Sequence, residues 1–134
     1  MPFVALLTYL SRSGEPLIKI SSTPSSNKLP IGATVNLTCT AWQTDELAMK
    51  QPKTRPHSIE WFDPQGKLVG ECRAHTPAAV RMTCPLMVGA LTERKFGNYT
   101  CKASNGYYYC SNKRFPIRLQ GKKQEAPLRA PNLS

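Results

Sequence analysis

A chain of 134 residues has room for one domain with a sizeable core and too little for two. Hydrophobic residues make up 40% and alternate with a period of two, which fits a globular β protein and excludes a disordered one. Net charge is +10, from 18 Lys plus Arg against 8 Asp plus Glu, which favours acidic partners or simply marks a soluble basic protein.

Residues 1–16 form an N-terminal lead-in or a signal remnant. Pro2-Phe-Val-Ala-Leu-Leu-Thr-Tyr-Leu10 is apolar enough for a short signal core, but it has no basic leader and no small-x-small cleavage site. It is also far short of the ~20 residues that span a bilayer, so no membrane span is expected. Leu17-Ile-Lys-Ile20 reads as a first edge strand, which breaks and switches sheets over the Ser- and Pro-rich residues 21–27. Val35, Leu37, Cys39 and Ala41 alternate inward on a second strand.

Residues 42–57 are long and polar, with Lys50, Lys53, Arg55, Pro52 and Pro56, and read as an extended loop at one end, either functional or a tolerated insertion. Ser58-Ile-Glu-Trp-Phe62 is a third strand with Ile59 and Trp61 inward. Asp63-Pro-Gln-Gly66 is a turn, and Lys67-Leu-Val-Gly70 returns from it. Residues 71–79 resist placement, residues 80–91 give the next strand, and residues 92–95 make a corner. Tyr99, Cys101 and Ala103 alternate, and Asn105-Gly106 offers a tight hairpin. Phe115, Ile117 and Leu119 point inward on a last strand, where Pro116 requires an edge. Residues 121–134 form a polar C-terminal tail or linker with Pro127 and Pro131.

Gly32-Ala-Thr-Val-Asn-Leu-Thr-Cys39, then Trp61, then Gly97-Asn-Tyr-Thr-Cys-Lys-Ala-Ser-Asn-Gly106 stand in the order cysteine, tryptophan, tyrosine-x-cysteine. The chain resembles the immunoglobulin superfamily here, and more closely its intermediate-type extracellular domains, over roughly Leu17 to Leu119. The resemblance implies an all-β fold: an immunoglobulin-like, two-sheet antiparallel Greek-key sandwich over residues 17–120. It further implies a central inter-sheet disulfide between Cys39 and Cys101, Trp61 packed on the sulfurs, and the Tyr99 hydroxyl turned back onto the backbone at a corner. One departure stands out: Lys95 occupies the place of a customary acidic residue, so the salt bridge made by that acid is not expected.

Cys72, Cys84 and Cys110 remain, and allow three pairings with one thiol left over. Cys72 with Cys84, on adjacent antiparallel segments, is the favoured pair. A two-residue turn at Asn105-Gly106 places Cys110 beside Cys101, whereas a longer loop leaves Cys110 free or bonded to a second chain. Cys72-Arg-Ala-His75 has a two-ligand spacing but no second compact pair, so no metal site is expected. Five cysteines and the glycosylation sequons at Asn36, Asn98 and Asn132 favour an oxidising, extracellular setting, either secreted or within a cell-surface ectodomain. Asn36 and Asn98 are expected to face solvent.

His57 and His75 lack a nucleophile motif, no phosphate loop is present, and neither enzyme activity nor a cofactor is expected. Three surfaces compete for a binding role: the Tyr107-Tyr108-Tyr109 tip, the Lys50, Lys53 and Arg55 loop, and a basic cluster of Lys113, Arg114, Arg118, Lys122 and Lys123. The tyrosines serve contact or cover the sandwich end. The resemblance implies a protein–protein recognition module of an adhesion molecule or receptor. The partner is another protein or a second copy, through Cys110 or a sheet face. The alternatives are a secreted factor binding sulfated glycosaminoglycan and a structural spacer. Nucleic acid is not expected.

Overall fold

The computed structural model describes residues 14–76 and 79–121. Runs of alternating apolar and polar residues become strands because a pleated chain sends successive side chains to opposite faces. Eight strands result among the described residues: β1 (Leu17–Thr23), β2 (Lys28–Leu29), β3 (Thr34–Trp42), β4 (Pro56–Phe62), β5 (Leu68–Arg73), β6 (Arg81–Ala90), β7 (Gly97–Asn105) and β8 (Cys110–Leu119). They form two layers, β1-β3-β6 and β2-β8-β7-β4-β5. All pairings are antiparallel except β2 with β8, where the chain leaves the first sheet and joins the second. The fold is an immunoglobulin-like sandwich, and this strand order is its Greek key.

The inner faces meet in one core that includes Val35, Leu37, Cys39, Ile59, Trp61, Tyr99, Cys101 and Ile117. Cys39 on β3 is bonded to Cys101 on β7 with Cα atoms 6.4 Å apart. Cys72 on β5 is bonded to Cys84 on β6 with Cα atoms 5.7 Å apart. Cys84 is the register partner of Cys39, and Trp61 that of Cys101, so the bridges lie side by side around the indole. Trp61 is fully buried, and its Nε1 donates to the Cys84 carbonyl at 3.0 Å, so its one polar group is satisfied.

Several expectations need correction. The strands carrying Cys72 and Cys84 belong to different sheets, so their bridge closes an open side of the sandwich instead of joining neighbours within a sheet. The two-residue hairpin does not form. Ser104 pairs with Cys110, and Lys113, not Cys110, lies opposite Cys101. Residues 42–57 are not an extended loop: Trp42 ends β3, Pro56 begins β4, and between them lie helix α1 (Asp45–Lys50) and a 3-10 turn (Pro52–Thr54). Leu119 is 37% exposed because β7 begins opposite Ile117 and leaves it uncovered. Pro116 lies where β8 is an edge, since β2 reaches only Arg118 and Leu119.

At the lower corner the Tyr99 hydroxyl donates to the Lys95 carbonyl at 2.8 Å. Burial, and secondarily the negative charge of Asp63, push this phenol up to about 12. Lys95 does what an acid could not. Its ammonium donates to the carbonyls of Val88 at 2.9 Å and Ala90 at 3.3 Å, tying the corner to the end of β6.

Candidate recognition surface

The other end of the sandwich gathers three segments that are distant in sequence: Gly14 to Pro16, the α1 insertion and the β7–β8 loop. Three buried polar residues, Gln43 (4% exposed), Thr54 (1%) and Asn105 (1%), all stand here. Burying an amide or hydroxyl is costly unless its hydrogen bonds are remade inside, so each must act as a connector.

Asn105 Nδ2 donates to the Gly14 carbonyl at 2.6 Å, and Gln43 Nε2 donates to the same oxygen at 3.1 Å. Gln43 Nε2 also reaches the Thr54 carbonyl at 3.3 Å, while its Oε1 accepts from the Thr44 amide at 2.9 Å. Thr54 Oγ1 donates to the Gln51 carbonyl at 2.7 Å. Side-chain polar atoms with no hydrogen-bond partner are absent among the described buried residues.

The same hub holds the tyrosine loop open. Asn105 Oδ1 accepts from the Tyr107 amide at 2.8 Å and the Tyr109 amide at 3.1 Å. The Tyr108 amide donates to the Asn105 carbonyl at 2.9 Å, and the Gly106 amide to the Lys53 carbonyl at 2.8 Å. Every amide from Gly106 to Tyr109 therefore has a partner, which is unusual for an exposed loop. Glycine suits position 106, since a Cβ would stand 3.1 Å from the Lys53 carbonyl oxygen, tighter than an ordinary contact. With the backbone anchored, the rings face out: Tyr107 is 40%, Tyr108 84% and Tyr109 46% exposed. The Tyr107 and Tyr109 rings stack with centroids 5.5 Å apart, and Lys53 Nζ lies 5.7 Å from the Tyr107 centroid.

Helix α1 begins at Thr44, whose Oγ1 accepts from the Leu47 amide at 3.4 Å, with Asp45 and Glu46 in its first turn and Lys50 in its last. Lys50 pairs with Glu46 at 3.1 Å on open surface, a contact worth about 0–1 kcal/mol. Arg55 Nε donates to the Ala48 carbonyl at 3.1 Å, so this cation clamps the helix end. Two clefts flank the insertion. One, of about 460 Å³, includes Glu15, Gln43, Glu46 and Leu47. The other, of about 430 Å³, includes Pro52, Lys53, Arg55, His57 and Gly106. The first cleft carries Glu15 and Glu46 together with Lys50, and the second carries Lys53 and Arg55 with no acidic residue in its lining.

The structure joins two of the three surfaces read from the sequence, since Lys53 meets Tyr107. Of the third, Lys113, Arg114 and Arg118 are exposed on β8, with Arg114 and Arg118 on one face. Lys113 and Arg114 are successive on β8 and leave on opposite faces. Lys122, Lys123 and Asn132 lie outside the described residues. Cys110 is half-buried and unbridged opposite Ser104, and its Sγ lies 3.4 Å from the Tyr108 carbonyl oxygen. Asn36 and Asn98 are exposed. Sequence reasoning missed Gln43, Thr54 and Asn105 as connectors. The available signals were the Thr44-Asp-Glu46 helix start and an asparagine at a strand end ahead of glycine.

No protein-family model and no curated protein matches the chain. Among solved structures it is similar to the Ig1 domain of mouse SynCAM 2, at 16% identity and TM-score 0.43, covering 81% of this chain and 99% of that one. It is also similar to CopC from Methylosinus trichosporium OB3b, at 13% identity and TM-score 0.33, covering 81% and 98%. Both likenesses are too distant to bear on function. The fold assignment rests on strand order, the Cys39–Cys101 bridge around Trp61 and the tyrosine corner. No helix among the described residues is long and apolar enough to cross a membrane.

Proposed function

We propose that this chain is an extracellular recognition domain of the intermediate immunoglobulin type, acting in an adhesion molecule or receptor ectodomain. It engages a protein partner through the end formed by α1 and the β7–β8 loop. The observation that carries this reading is the buried Gln43–Thr54–Asn105 hub beneath exposed, stacked tyrosines. Rings held by an anchored backbone lose little entropy on binding, and tyrosine is a frequent source of binding energy at interfaces. Two disulfides support an oxidising location. The folded unit proposed for this role starts ahead of residue 17, since Gly14 and Pro16 are buried.

The test is to titrate an oligomerised form of the domain on a panel of cell lines. Replacing Tyr107 and Tyr108 by alanine should weaken saturable binding by roughly 30-fold or more, the effect of losing a hot spot worth about 2 kcal/mol. The Arg114→Ala/Arg118→Ala pair should leave it unchanged. The opposite pattern would reject the loop end as the binding surface.

A further inference from the structure

Asn36 and Asn98 each precede a cysteine of the central bridge, Cys39 and Cys101, by three residues. The cysteines point inward, so on a pleated strand a residue three earlier points outward, about 10 Å along the strand. Both asparagines are exposed, one on the outer face of each sheet. β3 and β7 both run toward the loop end, which places the two side chains at the same level of the sandwich, facing in opposite directions. Asn105 lies seven residues farther along β7 than Asn98, about 23 Å away.

The surroundings differ in a telling way. Asn36 is flanked in register by Thr23 and by Met87, and Met87 is 81% exposed, an apolar side chain open to water on a strand face. Asn98 lies across from Pro116. Both positions carry the Asn-x-Thr acceptor pattern.

We propose that Asn36 and Asn98 both carry N-linked oligosaccharides, which close the two sheet faces and leave the loop end as the open surface. This rests on the extracellular placement of the recognition reading. In the transfer, Nδ2 of each asparagine forms a bond to the anomeric carbon of a lipid-diphosphate-linked oligosaccharide. The bond from that carbon to the diphosphate oxygen breaks, the lipid diphosphate leaves, and one amide proton is released. A sugar at Asn36 overlies Met87. Face-to-face packing of either sheet on a second copy would then have to bury a glycan, which directs association to the tyrosine end.

The full chain, secreted from a eukaryotic host behind a heterologous leader, provides the test. Enzymatic release of the sugars in heavy-oxygen water converts each occupied asparagine to a labelled aspartate that peptide mass spectrometry locates. Labels at both Asn36 and Asn98 are expected, and the absence of either overturns the proposal. Methionine oxidation by peroxide then compares glycosylated with enzymatically deglycosylated protein. Met87 should react several-fold more slowly while the sugars are attached. Met49, 76% exposed on α1 at the loop end, should react at the same rate in both forms. Equal Met87 rates, or a slowed Met49, would overturn the shielding. The tyrosine-variant comparison, run on deglycosylated protein, is independent of these outcomes.

Discussion

Replacing Asn105 by alanine removes three side-chain hydrogen bonds at once: to the Gly14 carbonyl and from the Tyr107 and Tyr109 amides. If all three partners stayed dry, each would cost about 1–3 kcal/mol. They do not share that fate equally. The Gly14 carbonyl keeps the Gln43 amide as a donor, and the half-exposed tyrosines can relax so that water reaches their amides. A net loss of about 2–4 kcal/mol follows. At roughly 4 °C per kcal/mol for a domain of this size, the midpoint of thermal unfolding should fall by about 8–16 °C. Urea unfolding of the wild type and Asn105→Ala, with an unchanged m value, gives the difference directly. Asn112→Ala, the same chemistry on open surface, should shift stability by less than about 0.5 kcal/mol. A loss that small for Asn105→Ala would refute the hub.

Three further outcomes follow from the same structure. Tyr99 is neutral in the fold up to about 12, so its contribution is fully present below the ordinary tyrosine value near 10. Stability should therefore fall as pH rises through that window, and Tyr99→Phe should abolish both this loss and the late ionisation step in ultraviolet titration. Replacing Cys72 and Cys84 together by alanine should cost about 3 kcal/mol by chain entropy while unfolding stays cooperative around the remaining bridge, with denaturant titration as the measure. Lys95→Glu, which puts an acid at this position, should destabilise by about 1–2 kcal/mol through its approach to the Val88 and Ala90 carbonyls, and more than Lys95→Met. A stabilised Lys95→Glu protein would contradict that account.

Much of the frame was legible because its determinants are short-range or spaced by the strand period. Val35, Leu37 and Cys39 declare an inward face by alternation, and the Asp63-Pro-Gln-Gly66 turn closes with the Gly66 amide on the Asp63 carbonyl at 2.9 Å. The loop end was not legible in the same way. Its bonds join residues as distant as Gly14 and Asn105, and no local pattern announces such a contact. Helix α1 is a single short stretch whose apolar face is little more than Ala48, too brief to produce a helical period among prolines. The register of β8 depended on whether Asn105 turns the chain in two residues or anchors a wider loop through its own side chain. Crowding of Lys113 and Arg114 in sequence is not crowding in space, since neighbours on a strand face opposite ways.

Amide hydrogen exchange across Gly106, Tyr107, Tyr108 and Tyr109 tests the central claim, a pre-organised recognition end, most directly. The account predicts that these four amides are protected to nearly the same degree as those of Lys102 and Ala103 within β7, and that Asn105→Ala releases Tyr107 and Tyr109. Exchange of all four at the rate of an open loop in the wild-type protein would contradict it.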